Sequence, residues 1–179
     1  EVRGLYYGTS GNTAPFGGDP GLIGNGHPGD KLGYAVQAGS VLNLPWNKGD
    51  TFGVSAAFGV GALGYVDGAG LGSVSIFNGG NIGLGFLTDA VYGGTDGANG
   101  SSRELATGWA VTAGLEHYWT PALRTSAYGG FSAITYNANA TALICNSGGL
   151  GKAAGAAVGF TPTNCAPNFS FWQVGSRTI

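Results

Sequence analysis

The sequence predicts an all-β fold, an antiparallel up-and-down β-barrel, and three observations carry that prediction. Mostly apolar positions alternate with mostly small or polar ones at period two: the even positions are Leu32, Tyr34, Val36, Ala38, Ser40, Leu42 and Leu44, while the odd ones include Gly33, Gln37, Gly39 and Asn43. Short turns take turns with long Gly-rich connections, the loop pattern of outer-membrane barrels. All the prolines (Pro15, Pro20, Pro28, Pro45, Pro121, Pro162 and Pro167) fall between predicted strands, as a residue without an N–H must. Composition agrees: 37 Gly in 179 residues oppose a helical bundle, and 12% aromatics with a net charge of −2 oppose disorder. Charged residues make up 9% against the roughly 25% of soluble domains, which suits a surface facing lipid rather than water.

In chain order, Glu1 to Gly8 reads as a strand. The stretch from Leu32 to Leu44 is the first long one, closed by the turn Pro45-Trp46-Asn47-Lys48-Gly49. The pattern resumes as Phe52, Val54, Ala56, Phe58, Val60 and Ala62 against Gly53, Ser55, Ala57, Gly59 and Gly61. Shorter strands are expected at Leu71 to Phe77 and Ile82 to Tyr92, joined by Asn78-Gly79-Gly80-Asn81. A further long pair, Trp109 to Trp119 and Arg124 to Tyr136, flanks Thr120-Pro121-Ala122, and a last strand runs from Phe169 to Ile179. Long loops are expected at Thr9 to Lys31, Gly93 to Arg103 and Ala138 to Pro167, with a shorter connection at Gly64 to Gly70. Trp46 and Trp119 border short turns, where an interfacial aromatic belt would place them; in a soluble sandwich they would be core.

Several patterns bear on chemistry. Seven scattered Lys and Arg give no footprint for nucleic acid. Gly59-Val-Gly61-Ala-Leu-Gly64 matches the dinucleotide fingerprint, but its glycines continue a strand, so no cofactor is expected. His27 and His117 have no metal-ligand spacing, and Glu116 points away from its neighbour His117 on a strand, so neither a metal site nor a catalytic dyad is expected. Cys145 and Cys165, alone in the chain and inside its longest loop, suggest one disulfide; two unrelated thiols are the alternative. The matches Asn99-Gly-Ser, Asn139-Ala-Thr and Asn168-Phe-Ser to the glycosylation sequon read as chance. If the barrel parity holds, Gln37, Glu116, Gln173 and Arg177 face inward; Arg177 and Arg124 could instead snorkel at strand ends.

The strings GWAVTAGLEHYWTPALRTSAYGGFSAITYN from Gly108 and NFSFWQVGSRT from Asn168 resemble the alphaproteobacterial porin family of rhizobia and brucellae. GHPGDKLGYAVQAGSVLNLPWNKGD from Gly26 and GGNIGLGFLTDAVYGG from Gly79 are similar to the same family, so the resemblance spans nearly the whole chain. It implies a trimeric porin in the bacterial outer membrane that passes ions and small hydrophilic solutes by diffusion. Such porins have about 16 strands, whereas seven or eight are read here. The chain therefore resembles the C-terminal-central portion of a porin, residues 1–179 forming one segment of about half a barrel. No residue of the family's constriction loop can be assigned, and with no basic and apolar run with a cleavage-site triplet at Glu1, no signal peptide is expected within this sequence. The competing expectation is a soluble or secreted small β-barrel or β-sandwich used for binding.

Overall fold

Period-two alternation carries through into strands wherever it is longest. The computed structural model describes residues 4–8, 30–67, 72–78, 81–94, 102–145 and 166–179, and it is mostly antiparallel β-sheet. The strands are β1 (Gly4–Gly8), β2 (Tyr34–Asn43), β3 (Thr51–Val60), β4 (Gly72–Asn78), β5 (Asn81–Leu87), β6 (Ala90–Gly94), β7 (Glu104–Leu105), β8 (Thr107–Thr120), β9 (Leu123–Thr135) and β10 (Phe169–Thr178). Among the described residues two helices, α1 (Gly64–Asp67) and α2 (Ala138–Cys145), interrupt them.

The main sheet has five strands in the order β10-β9-β8-β3-β2, antiparallel throughout. Tight connections join β2 to β3 and β8 to β9, with a register shift at Tyr118/Thr120. Among the described residues the sheet does not close, so β2 and β10 are its edges.

Here the structure departs from a simple up-and-down order. β3 pairs directly with β8, and the strands between them stand apart: β4 and β5 form a separate hairpin, while β6 lies between β1, in parallel, and β7. The stretch expected as one strand from Ile82 to Tyr92 is broken at Thr88-Asp89. The reason is visible in its parity. Apolar residues run Ile82, Leu84 and Phe86, then switch to Leu87 and Val91, so a single strand could not keep them all on one face.

The chain leaves β3 at Gly61, whose φ of 62° lies in the left-handed region open to glycine. The turn sends Leu63 and Val66 under the sheet, where they are buried. Gly108 makes room for this: a Cβ there would sit 2.7 Å from Leu63 Cδ2 and 2.9 Å from Ile134 Cδ1. The core built at this end comprises Leu63, Leu87, Val91, Ala106, Ile134, Tyr136, Ala140 and Ile144, with Leu143, Cys145 and Phe169 packed against it.

Helix α2 lies where a loop from Ala138 to Pro167 is expected. Asn137 caps it, its Oδ1 accepting from the Ala140 N–H at 2.8 Å, and the helix formers Ala138, Ala140, Ala142 and Leu143 follow. Its Ala140 and Ile144, four residues apart, share the buried side.

Candidate functional site: two opposed faces and a packed end

Register across the five strands sorts every side chain onto one of two faces. One face carries Val36, Phe58 and Trp109 in one row, Ala38, Ala56, Val111, Phe131 and Trp172 in the next, and then Val54, Ala113 and Val174. Large apolar groups on it are open to solvent, with Val36 64% exposed, Trp172 71% and Val174 74%. Rings meet across strands: Tyr34 and Phe58 have centroids 6.3 Å apart, and Trp109 and Phe131 5.2 Å. Trp46 and Trp119, both exposed, add aromatic groups at the short-turn end, where Trp119 donates Nε1–H to Thr125 Oγ1 at 3.0 Å. Neither tryptophan is a core residue.

The opposite face is mostly small and polar. Its rows read Gln37, Ala57, Ala110, Ser132, Phe171; then Gly39, Ser55, Thr112, Gly130, Gln173; then Val41, Gly53, Gly114, Tyr128, Gly175; then Asn43, Thr51, Glu116, Ser126, Arg177. All four residues expected to face inward, Gln37, Glu116, Gln173 and Arg177, thus share this face, and Glu116 and Arg177 flank Ser126 in one row. Glu116 is held by Arg124 at 3.4 Å and by the Ser126 hydroxyl at 3.1 Å, while Arg124 also donates to the Tyr118 hydroxyl at 3.0 Å. Arg124 is therefore engaged with this face's own groups. Ser55 and Thr112 share a hydrogen bond of 2.8 Å near its centre.

Sequence reasoning correctly separates Glu116 from His117, but it misses the partner His117 has. Asp50, in the turn after β2, has its carboxylate closed off from solvent, with Oδ2 2.7 Å from His117 Nδ1 and Oδ1 accepting the Tyr118 N–H at 2.8 Å. Burial alone would raise its pKa; the Tyr118 N–H and the hydrogen bond and charge of His117 outweigh that and hold the carboxyl below its ordinary 3.8. Asn47 closes the same joint by donating Nδ2–H to the Tyr118 carbonyl at 2.6 Å. Gly49, at φ 106°, brings the turn against the Tyr118 ring. Sixty-seven residues separate Asp50 from His117, so no local spacing could show the pair.

At the other end of the polar face, the fingerprint-like Gly59-Val-Gly61-Ala-Leu-Gly64 does lead into a helix, but only a single turn. The Leu63 N–H is taken by the protein's own carboxylate, Asp89 Oδ1, at 2.6 Å. Asp89 also accepts the Ala106 N–H on its carbonyl, and Gly61 donates to Ala106, so three segments meet there. Glu104 accepts from Asn137 at 2.7 Å and Ser102 at 2.8 Å. These bonds outweigh burial and, with Lys31 and Asn139 near, hold its carboxyl below 4.5. Burial pushes the Tyr136 phenol up, assisted by the Asp89 charge and opposed by a hydrogen bond with the Thr88 backbone.

Among the described residues no group of three or more His, Cys, Asp and Glu could hold a metal ion, and no helix is long and apolar enough to cross a membrane. No free cysteine occurs among them; Cys145 ends α2, and Cys165, like His27, lies outside the described residues. Comparison with protein-family models, curated proteins and solved structures found no match.

Proposed function

We propose that the chain is part of the wall of a bacterial outer-membrane porin, a passive channel for ions and small hydrophilic solutes. The observation that supports this best is the pairing of the two faces. A soluble sandwich or barrel covers its apolar face with a second layer, whereas this one leaves Val36, Trp172 and Val174 open across both edges of the sheet. Lipid is the partner that such a face fits. The strand length agrees: β2, β3 and β10 have 10 residues each, and a tilted membrane strand needs about 9 to 11. The small, hydroxylated opposite face suits a water-filled lumen, and the inward packing of Leu63 and Val66 would narrow it.

The five strands of the main sheet then form an arc of a larger barrel of about 16 strands, homotrimeric in full-length form. Cys145 and Cys165 pair in this reading and fix the loop between α2 and β10 at the pore mouth, a bridge that contributes about 3 kcal/mol in the chain-entropy model. Trp46 and Trp119 form part of the belt at the short-turn interface. No cofactor and no reaction step enter.

The test is a planar bilayer. The natural protein, extracted in detergent, should give stepwise conductance; a sealed bilayer, or extraction without detergent as a soluble monomer, would overturn the reading. Non-reducing peptide mapping should recover Cys145 and Cys165 in one linked peptide.

A further inference from the structure

We infer that the short-turn border of the apolar face holds a site for the phosphodiester of a phospholipid headgroup, built on His117 and on Lys48 of the neighbouring turn. This rests on the reading that lipid covers the apolar face, and it names a contact which that reading leaves open. The observation is a polar row where the face ends. Leu42, Phe52, Leu115, Ala127 and Ser176 stand in register across the five strands. One row nearer the short turns the same face carries His117, Thr125 and Thr178, with Asp50 beside His117. Trp119 ends the face, its ring meeting the His117 ring edge-on with centroids 4.4 Å apart, and Trp46 is exposed in the turn after β2. Apolar side chains giving way to indoles and hydrogen-bonding groups mark the level at which hydrocarbon gives way to headgroups.

The row has donors left over. Asp50, its carboxylate fully buried, faces His117 Nδ1 at 2.7 Å and accepts the Tyr118 N–H at 2.8 Å. The imidazole is 29% exposed, and with Nδ1 against the carboxylate, Nε2 on the far side of the ring is the nitrogen left for a ligand. A buried carboxylate behind an imidazole fixes the ring and offsets its charge, so the protonated ring can donate Nε2–H outward to a phosphate oxygen. Trp119 donates Nε1–H to Thr125 Oγ1 at 3.0 Å, and Thr125 and Thr178 share one bond of 2.9 Å, which leaves one hydroxyl hydrogen of the pair unspent. Lys48 is exposed in the turn that Asn47 ties to the Tyr118 carbonyl, and it has no ion pair among the described residues. The other charged side chains of this end, Glu116, Arg124 and Arg177, lie on the opposite face, the first two paired at 3.4 Å. Asp50 and protonated His117 cancel, so Lys48 supplies the single net positive charge that a phosphodiester monoanion matches.

The experiment uses the natural protein in detergent micelles and reads the quenching of its tryptophans by lipids with brominated acyl chains, phosphatidylglycerol against diacylglycerol. Quenching by either lipid reports lipid on the tryptophan-bearing face, and the difference between them reports the site. Phosphatidylglycerol should bind roughly tenfold more tightly, the worth of a hydrogen bond to a charged group at a partly exposed position. The preference should grow as pH falls through the ordinary imidazole range, because a neutral ring that gives Nδ1–H to Asp50 has no second proton to donate. His117→Gln should remove the pH dependence and most of the preference. Lys48→Gln, in an exposed turn, should weaken the preference roughly threefold and leave its pH dependence in place. Arg177→Gln, on the opposite face, should change neither. A preference that is absent, independent of pH, untouched by both the His117 and Lys48 substitutions, or abolished by inorganic phosphate at the concentration of the lipid would overturn the inference while leaving the lipid-covered face. Failure of both lipids to quench would instead remove the reading beneath it.

Discussion

The two ends of the main sheet are held by different physics. At the short-turn end no apolar cluster forms among the described residues: the strands are joined by Asp50 with His117 and Tyr118, by Asn47 with the Tyr118 carbonyl, and by Arg124 with Glu116. At the long-connection end Leu63, Leu87, Val91, Ile134 and Ile144 form a packed apolar cluster against the same sheet. The difference follows from the faces. A sheet whose apolar side is left open and whose other side is small and polar has no interior of its own, so a conventional core forms only where a connection folds back over it. Elsewhere, hydrogen bonds across strands must hold the turns in place.

The largest effect expected from this contrast is at the packed end. Ile134→Ala empties a fully buried site and should lower stability by about 2 to 5 kcal/mol, read as the urea midpoint of the protein in lipid vesicles. If it costs no more than a substitution in the short-turn joint, the packed end is not the anchor. Next comes a contrast between faces at adjacent positions of β8. Val111→Lys, on the open apolar side, should cost about 2 to 4 kcal/mol in lipid, and Thr112→Lys on the polar side far less. Equal costs would mean that lipid does not cover the Val111 face.

A smaller effect is expected at α2. Asn137→Ala removes the helix cap and the Glu104 bond together, and should cost about 1 to 2 kcal/mol, measured by the same urea transition. A neutral result would show that α2 is held by Ala140 and Ile144 alone. The smallest effect is at the polar joint and shows itself through pH. The Asp50 carboxyl is held below 3.8 in the folded chain, so its contribution is fully present above that value and is lost as pH falls through the depressed pKa. Asp50→Asn should therefore flatten the acid limb of the stability profile and leave the neutral region changed less than Ile134→Ala does. An acid limb identical in the variant would exclude Asp50 from the joint's stability.

Much of the main sheet is legible because alternation is a local property. From Tyr34 to Leu42, Phe52 to Val60 and Trp109 to Leu115, every second residue except Ser40 is apolar, and that fixes both strand and face before any partner is known. The same parity placed Gln37, Glu116, Gln173 and Arg177 together. The excursion between β3 and β8 was less legible. Its strand breaks at Leu87 to Val91 show in the parity switch, but nothing local says that β3 would pass over β4 and β5 to pair with β8. Helix α2 left a signal in Asn137 and the alanines after it, outweighed by the Gly-rich loop that follows.

By itself, then, the sequence determined the all-β class, the long strands and the opposition of an apolar and a polar face, because each depends on residues a few positions apart. Tertiary structure alone decided the strand order, the core of Leu63, Val91 and Ile134 under one end, and the union of Asp50 with His117. Those depend on how far the chain travels before it returns. A side-chain pattern of period two states which way a residue points, and it carries no information on which distant strand will lie beside it.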